Sequence, residues 1–528
     1  MPGLLLWLLI AGATAALVFG GWPGFPWDES EEARVKGLVA ILVMALLLGD
    51  LRRSGGELSG AASWPAFVAA LLALAAYVNF GVFHGDRLRH DWEQFHYTLS
   101  AKYFEELGYD GLYAASVRAQ LERPVVGRAV HRTSRDLRTN EVVESLSQSG
   151  LKFQEKVRGR FSEQRWQEFL SDHEVFLRDV TTDRMASMRL DHGFNAPPSW
   201  LFPARAVVGD KPLSTDRLDR LGSVDLLLLL LGWAAVGWAF GTRIGCWSAA
   251  LFGTSYLARF FWIGGSLLRQ DWWLAVVLAA CLLQKRWPLA AGCALGYAAG
   301  VRLFPLLLGV GPLLVWAARS RDAEARSEAG RFLFGLGAML CILFGLGAVV
   351  AGDAEIWQEY AEVITLHRGT WLTNNVGLDN LLLHDRDTLG RALVDFGRDE
   401  PWTAWQERLD RNRAGRGPWS LGAKTLALLL FFFAVRRRSL AGSLVLSQSL
   451  VFVLFLSTCY YWQMLALLPL TGSAVAAVGG LVLSLVLWGV HLATEGFELR
   501  YVVASALLGA VLAAELVRGG LRRSEQAS

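Results

Sequence analysis

Apolar runs of near-membrane-spanning length recur along the whole chain, and they limit its fold more than any other feature. A helix needs about 20 apolar residues to cross a bilayer, because the hydrocarbon layer offers no water to unpaired backbone groups. Such runs begin at Leu4–Gly21 and continue at about 37–50, 64–83, 223–240, 244–263, 271–284, 288–303, 305–318, 332–350, 420–435, 441–457, 463–478, 480–494 and 500–517. They predict an all-α polytopic membrane protein with about fourteen transmembrane helices. The first run has no charged leader and no clear cleavage signature before Trp22, which predicts a retained helix in place of a signal peptide. The run 271–284 is short and suits a re-entrant or broken helix. With 53% hydrophobic and 19% charged residues, a disordered chain and a soluble secreted domain are excluded.

The five cysteines all lie in or beside apolar runs, so neither a disulfide framework nor a metal-binding cysteine cluster is expected. The net charge of +3, with no basic run interleaved with aromatics, argues against a nucleic-acid partner. Orientation follows from the short basic connections, since Lys and Arg resist translocation. Arg52 and Arg53, Arg243, Lys285 and Arg286, the Arg319–Arg331 stretch, Arg436–Arg438, and Arg518 with Arg522 and Arg523 all fall on one side of a fourteen-span scheme. These loops and both termini are therefore expected in the cytoplasm, with the protein in a cell inner membrane. Two long hydrophilic segments, 84–222 and 351–419, then face the periplasm. The first carries as many acidic as basic residues and the second is net acidic, so the excess positive charge sits inside.

Chemistry is sought in those two segments and at charges stranded in apolar sequence. Asp91 follows a span and opens a run in which Trp92, Phe95, Leu99, Tyr103 and Leu107 recur at spacings of three and four, the pattern of an amphipathic interfacial helix. A carboxylate at such a junction is partly desolvated, which raises its pKa and suits a general base. The plainer reading is that Asp91 caps the helix, with Glu93 in its first turn. The segment closes on Asp191, His192, Asn195 and the pair Pro197-Pro198, which is either a rigid turn back to the membrane or part of a site. Arg269 and Asp271 interrupt two apolar runs, and Arg302 stands three residues before Pro305. Charges so placed need a partner or ligand, and the planar guanidinium fork suits a phosphate. The alternatives are a headgroup-snorkelling arginine or a local Arg269–Asp271 pair. In the second segment, Asn374 and Asn375 follow Trp371, a pairing of amides and aromatic surface found in carbohydrate sites and in plain loops alike.

Taken in order, these pieces resemble the GT-C superfamily of membrane glycosyltransferases, closest to its bacterial mannosyltransferase-like branch that uses polyprenyl-phosphate sugars. The resemblance rests on Asp91, Tyr97, Gly108 and Tyr113 at the start of the first segment, and on Phe194, Pro197, Pro198 and Pro203 at its end. It continues through Arg302 and Pro305 to Asn374–Asn380, with Asn195 in place of an aromatic, Arg302 in place of lysine, and a longer stretch between Arg118 and Arg189. It implies a GT-C-like catalytic core over 64–420, two extra helices in 1–63 and further C-terminal helices in 421–528. It implies inverting hexose transfer from a polyprenyl-phosphate donor to a lipid or glycan acceptor, with Asp91 as base, Arg302 and Arg269 on the phosphate, and no cofactor. Glu93, His96, Tyr97, His192, Asn195, Asp271, Asn374 and Asn375 would complete the substrate site. The rival readings are a lipid or polysaccharide transporter or flippase, which would place its charges at mid-membrane on broken helices, and a non-catalytic member of the same fold in an assembly complex.

Overall fold

The computed structural model describes residues 28–85, 87–368, 370–385, 390–395, 400–494 and 496–521, so the Leu4–Gly21 run and the terminal Arg522 and Arg523 lie outside the described residues. The described chain is nearly all helical. Two short antiparallel ladders interrupt it, Thr133–Asp136 with Glu141–Glu144 and Asn375–Val376 with Ser457–Thr458. Five helices are long and apolar enough to cross a membrane: Thr215–Phe240, Ala323–Ala351, Thr403–Val435, Ala474–Ala493 and Glu498–Arg518. These apolar helices mark a membrane-embedded protein.

Fourteen spans are expected, and several of the expected runs carry backbone breaks that a hydropathy window does not register. The 64–83 run stops at Tyr77, after which Asn79 and Phe80 take positive φ (52° and 54°). The 305–318 run opens in a 3₁₀ turn, Phe304–Gly309, because Pro305 lacks a donor N–H. The 441–457 run is cut at Ser447 into Leu440–Leu446 and Gln448–Leu454. Helices this short belong inside a bundle, where neighbouring protein satisfies the broken backbone. The expected boundary between 463–478 and 480–494 is also displaced. Gly479 and Gly480 are helical, seated against Val511 and Leu251, and the break falls at Gly472 (φ 69°) with Ser473 capping the helix Ala474–Ala493. Those glycines serve close packing, not chain reversal.

Close packing also fixes the end of the helix that carries Arg302. Helices Pro288–Val301 and Ala323–Ala351 meet along Gly292, Gly296 and Gly335. A Cβ on Gly292 would stand 2.0 Å from the Phe332 carbonyl oxygen, and one on Gly335 2.2 Å from that of Leu289. Small residues spaced by four let the two backbones touch. Arg243, expected in a basic loop, is instead buried against Asp50 at 2.8 Å, tying helix Thr242–Thr254 to helix Glu29–Arg53.

The first hydrophilic segment is a folded helical unit. Its opening helix, Asp91–Lys102, does not lie in an interface: every residue from Gln94 to Lys102 is buried. It packs on Glu163–Asp179 and Pro198–Val208, with Phe95 and Leu99 fully buried on one side and Gln94 and Thr98 on another. The expected apolar stripe is real, but protein covers both sides of the helix.

Candidate functional site

A cavity of about 930 Å³ forms where both ends of the first hydrophilic segment meet the start of helix Asp271–Gln284, the end of Pro288–Val301, helix Ile356–Arg368 and the chain around Tyr460. Of the residues expected in the catalytic and substrate site, it gathers Glu93, His96, Tyr97, His192, Asn195, Arg269, Arg302 and Asn375. Asp91, Asp271 and Asn374 do not line it.

Asp91 is the first residue of its helix and not the cap; His90 caps it, its Nδ1 accepting from the Glu93 N–H at 3.2 Å. The Asp91 carboxylate accepts from Arg89 Nε at 2.6 Å, and the same buried guanidinium reaches Asp179 and, at 3.6 Å, Asp219. Two residues along a helix is a rotation of about 200°. Asp91 therefore faces this ion cluster while Glu93 faces the cavity. Asp271 accepts from the Trp272 N–H at 2.7 Å and from the Tyr297 hydroxyl at 3.2 Å. Asn374 contributes its carbonyl to the Cys459 N–H at 2.9 Å.

One wall is a connected polar set. Arg269 Nε lies 2.7 Å from Glu93 Oε2, and Arg269 Nη1 donates to the Tyr97 hydroxyl at 2.9 Å, which donates in turn to Asn195 Oδ1 at 2.9 Å. The guanidinium also lies over the Tyr97 ring at 4.3 Å and the Tyr460 ring at 5.5 Å. Its backbone is fixed from behind, because Asp225 accepts the N–H groups of Arg269 and Gln270 at 2.9 and 3.1 Å. Burial pushes the Glu93 carboxyl above its ordinary value, and Arg269 only partly opposes this. A carboxylate so placed accepts a proton more readily than an exposed one.

Arg302 leaves helix Pro288–Val301 in extended conformation (φ −151°, ψ 126°) and is 7% exposed. Its Nη1 donates to the Val301 carbonyl at 2.8 Å, while Nε and Nη2 are buried without a hydrogen-bond partner among the described residues. A buried guanidinium with two free donor nitrogens is costly in the absence of an anion, and it is shaped to hold one bidentately.

Histidines also line the cavity. Trp92 Nε1 donates to Asp191 Oδ2 at 2.6 Å, and the His192 and His367 rings meet edge to face at 5.8 Å. Burial would raise Asp191, but His96, His192 and the Trp92 N–H hold it below its ordinary value, so it stays ionised. Burial lowers His192, and brings His367 down to about 4, so both rings are neutral near pH 7. His96 is bonded to the Trp92 carbonyl at 2.7 Å and the Tyr113 hydroxyl at 2.8 Å.

Tyr360, His367, Tyr460, Tyr461 and Lys424 also line the cavity and were not singled out from sequence. Tyr460-Tyr461 interrupts an apolar stretch as conspicuously as Arg302 does, and that signal was available; His367 sits on an ordinary amphipathic helix and gave none. Asn375 lies in the ladder opposite Thr458, and its carbonyl accepts from Asn380 Nδ2 at 2.8 Å. Comparison with family models, with curated proteins and with solved structures returns no match.

Proposed function

We propose that the protein is an integral membrane glycosyltransferase that moves a hexose from a polyprenyl-phosphate donor to a hydroxyl of a lipid or glycan acceptor. The observation that carries this reading is Arg302, a buried guanidinium with Nε and Nη2 unpartnered in a large cavity. The cavity is also lined by apolar side chains that reach the protein surface, Leu303 (58% exposed), Leu421 (68%) and Leu454 (45%). Phosphate affinity beside membrane-facing apolar surface fits a lipid phosphate better than a soluble nucleotide. The two hydrophilic segments face the periplasm of an inner-membrane protein with cytoplasmic termini, and residues 64–420 form the catalytic core.

In this reading Glu93 takes the base role that the resemblance implies for Asp91. Glu93 removes the proton of the acceptor hydroxyl as its oxygen attacks the anomeric carbon. The bond from that carbon to the phosphate oxygen breaks, and polyprenyl phosphate leaves with its growing charge held by Arg302, with Arg269 beside it. Such charge stabilisation strengthens toward the transition state and so lowers the barrier. One displacement inverts the anomeric configuration.

Purified protein in nanodiscs is given polyprenyl-phospho-mannose and a membrane-lipid acceptor extract, and mannosyl transfer is followed. Glu93→Gln should lose about 10²–10⁴-fold in rate with donor binding kept. Asp91→Asn should transfer at close to the wild-type rate, since its partner Arg89 keeps two other carboxylates. Full activity of Glu93→Gln, or donor turnover by neither wild type nor Asp91→Asn, overturns the proposal.

A further inference from the structure

The stretch between Arg118 and Arg189 contains a hairpin whose tip touches two residues that line the cavity. Strands Thr133–Asp136 and Glu141–Glu144 are joined by Leu137, Arg138, Thr139 and Asn140. The turn is closed by the Asn140 N–H on the Asp136 carbonyl at 2.7 Å and by Arg138 on the Asp136 carboxylate at 2.6 Å. Asn140 takes φ 63°, a left-handed conformation that asparagine tolerates better than most residues.

This tip is docked on both hydrophilic segments. Leu137 fits against Gly193 (φ 71°), where a Cβ would stand 2.8 Å from the leucine methyls. Arg135 donates to the Leu190 carbonyl at 2.9 Å and pairs with Glu400 at 2.7 Å. Asn140 Nδ2 donates to Thr370 Oγ1 at 3.3 Å, and its Oδ1 lies 2.7 Å from His192 Nδ1. Thr370 and His192 both line the cavity.

In the orientation the amide takes here, those two contacts select one tautomer of the ring. With Nδ2 turned to Thr370, the Asn140 oxygen faces the ring and can only accept, so His192 Nδ1 carries the hydrogen and Nε2 keeps its lone pair. Nε2 makes no hydrogen bond to any described residue, so the lone pair is available. We infer that Asn140 is a positioning residue that holds His192 in its Nδ1–H form, so that Nε2 accepts a hydrogen bond from a hydroxyl of the sugar-bearing substrate. The hairpin is then part of the site. This rests on the reading of the cavity as a glycosyl-transfer site.

The test uses the full chain in nanodiscs with ¹⁵N-labelled histidine, with His192→Gln to assign the signal and octyl α-mannoside as the hydroxyl probe. Wild type should show protonated Nδ1 and bare Nε2, with the Nε2 resonance moving as the probe is added. Asn140→Gly keeps the positive φ but removes the amide; it should mix the tautomers and weaken the probe about tenfold. Asn140→Asp keeps an acceptor and should retain both tautomer and probe binding at pH 8. A protonated Nε2 in wild type, no response of His192 to the probe, or Asn140→Gly altering thermal stability alone would each overturn the inference. Polyprenyl phosphate is added separately. If it fails to bind while octyl α-mannoside still moves His192, the transferase reading falls and the Asn140 assignment stands.

Discussion

Arg302 should make the protein less stable than it could be until an anion arrives. Replacing it with methionine keeps an unbranched apolar stem of similar reach and deletes the charge. The guanidinium buries two donor nitrogens without partners, Nε and Nη2, each costing about 1–3 kcal/mol. It makes one hydrogen bond, to the Val301 carbonyl, worth about 1 kcal/mol. The balance is a gain of about 1–5 kcal/mol for Arg302→Met in the absence of ligand, in line with the usual outcome when a buried, uncompensated charge is replaced by apolar volume. The assay is reversible denaturation in mixed micelles with and without polyprenyl phosphate. At a hundred times its Kd, the lipid should add about 2.7 kcal/mol to wild type and nothing to Arg302→Met. The reasoning is refuted if Arg302→Met is less stable than wild type without ligand, because the guanidinium would then have a compensating partner. Equal stabilisation of both proteins by the lipid would refute the phosphate role.

Two further outcomes follow from burial and topology. His367 is lowered to about 4 by burial, with His192 and Arg135 adding to this and Asp191 opposing it, so the folded state favours the neutral ring. Its penalty is absent above the unfolded value near 6.5 and grows as pH falls through about 4, costing about 3 kcal/mol; His367→Phe should flatten stability over that window, and an unchanged pH profile would contradict it. Single cysteines at Thr139 and Arg411, both exposed, should react with an impermeant thiol reagent from the periplasmic side, and one at exposed Arg326 should not; the reverse pattern would invert the orientation.

By itself, the sequence determined that the chain is built of apolar helices and that Arg269 and Arg302 need an explanation, because a charge in an apolar run is costly in any fold. It also pointed to both ends of the first hydrophilic segment, and His192, Asn195, Glu93 and Tyr97 do line one cavity. It did not separate Asp91 from Glu93. The two carboxylates lie on one short helix, and only the rotation at which that helix packs against its neighbours turns one to Arg89 and the other to the cavity. Nor did local pattern show that Gly479 and Gly480 sit inside a helix, since a glycine that ends a helix and one that admits a neighbouring side chain read alike. Asn140 and Thr370 are far from His192 in the chain and individually ordinary. Periodicity and local charge report on a residue's neighbours within a few turns, whereas the direction a side chain faces and the group it meets are set by long-range packing.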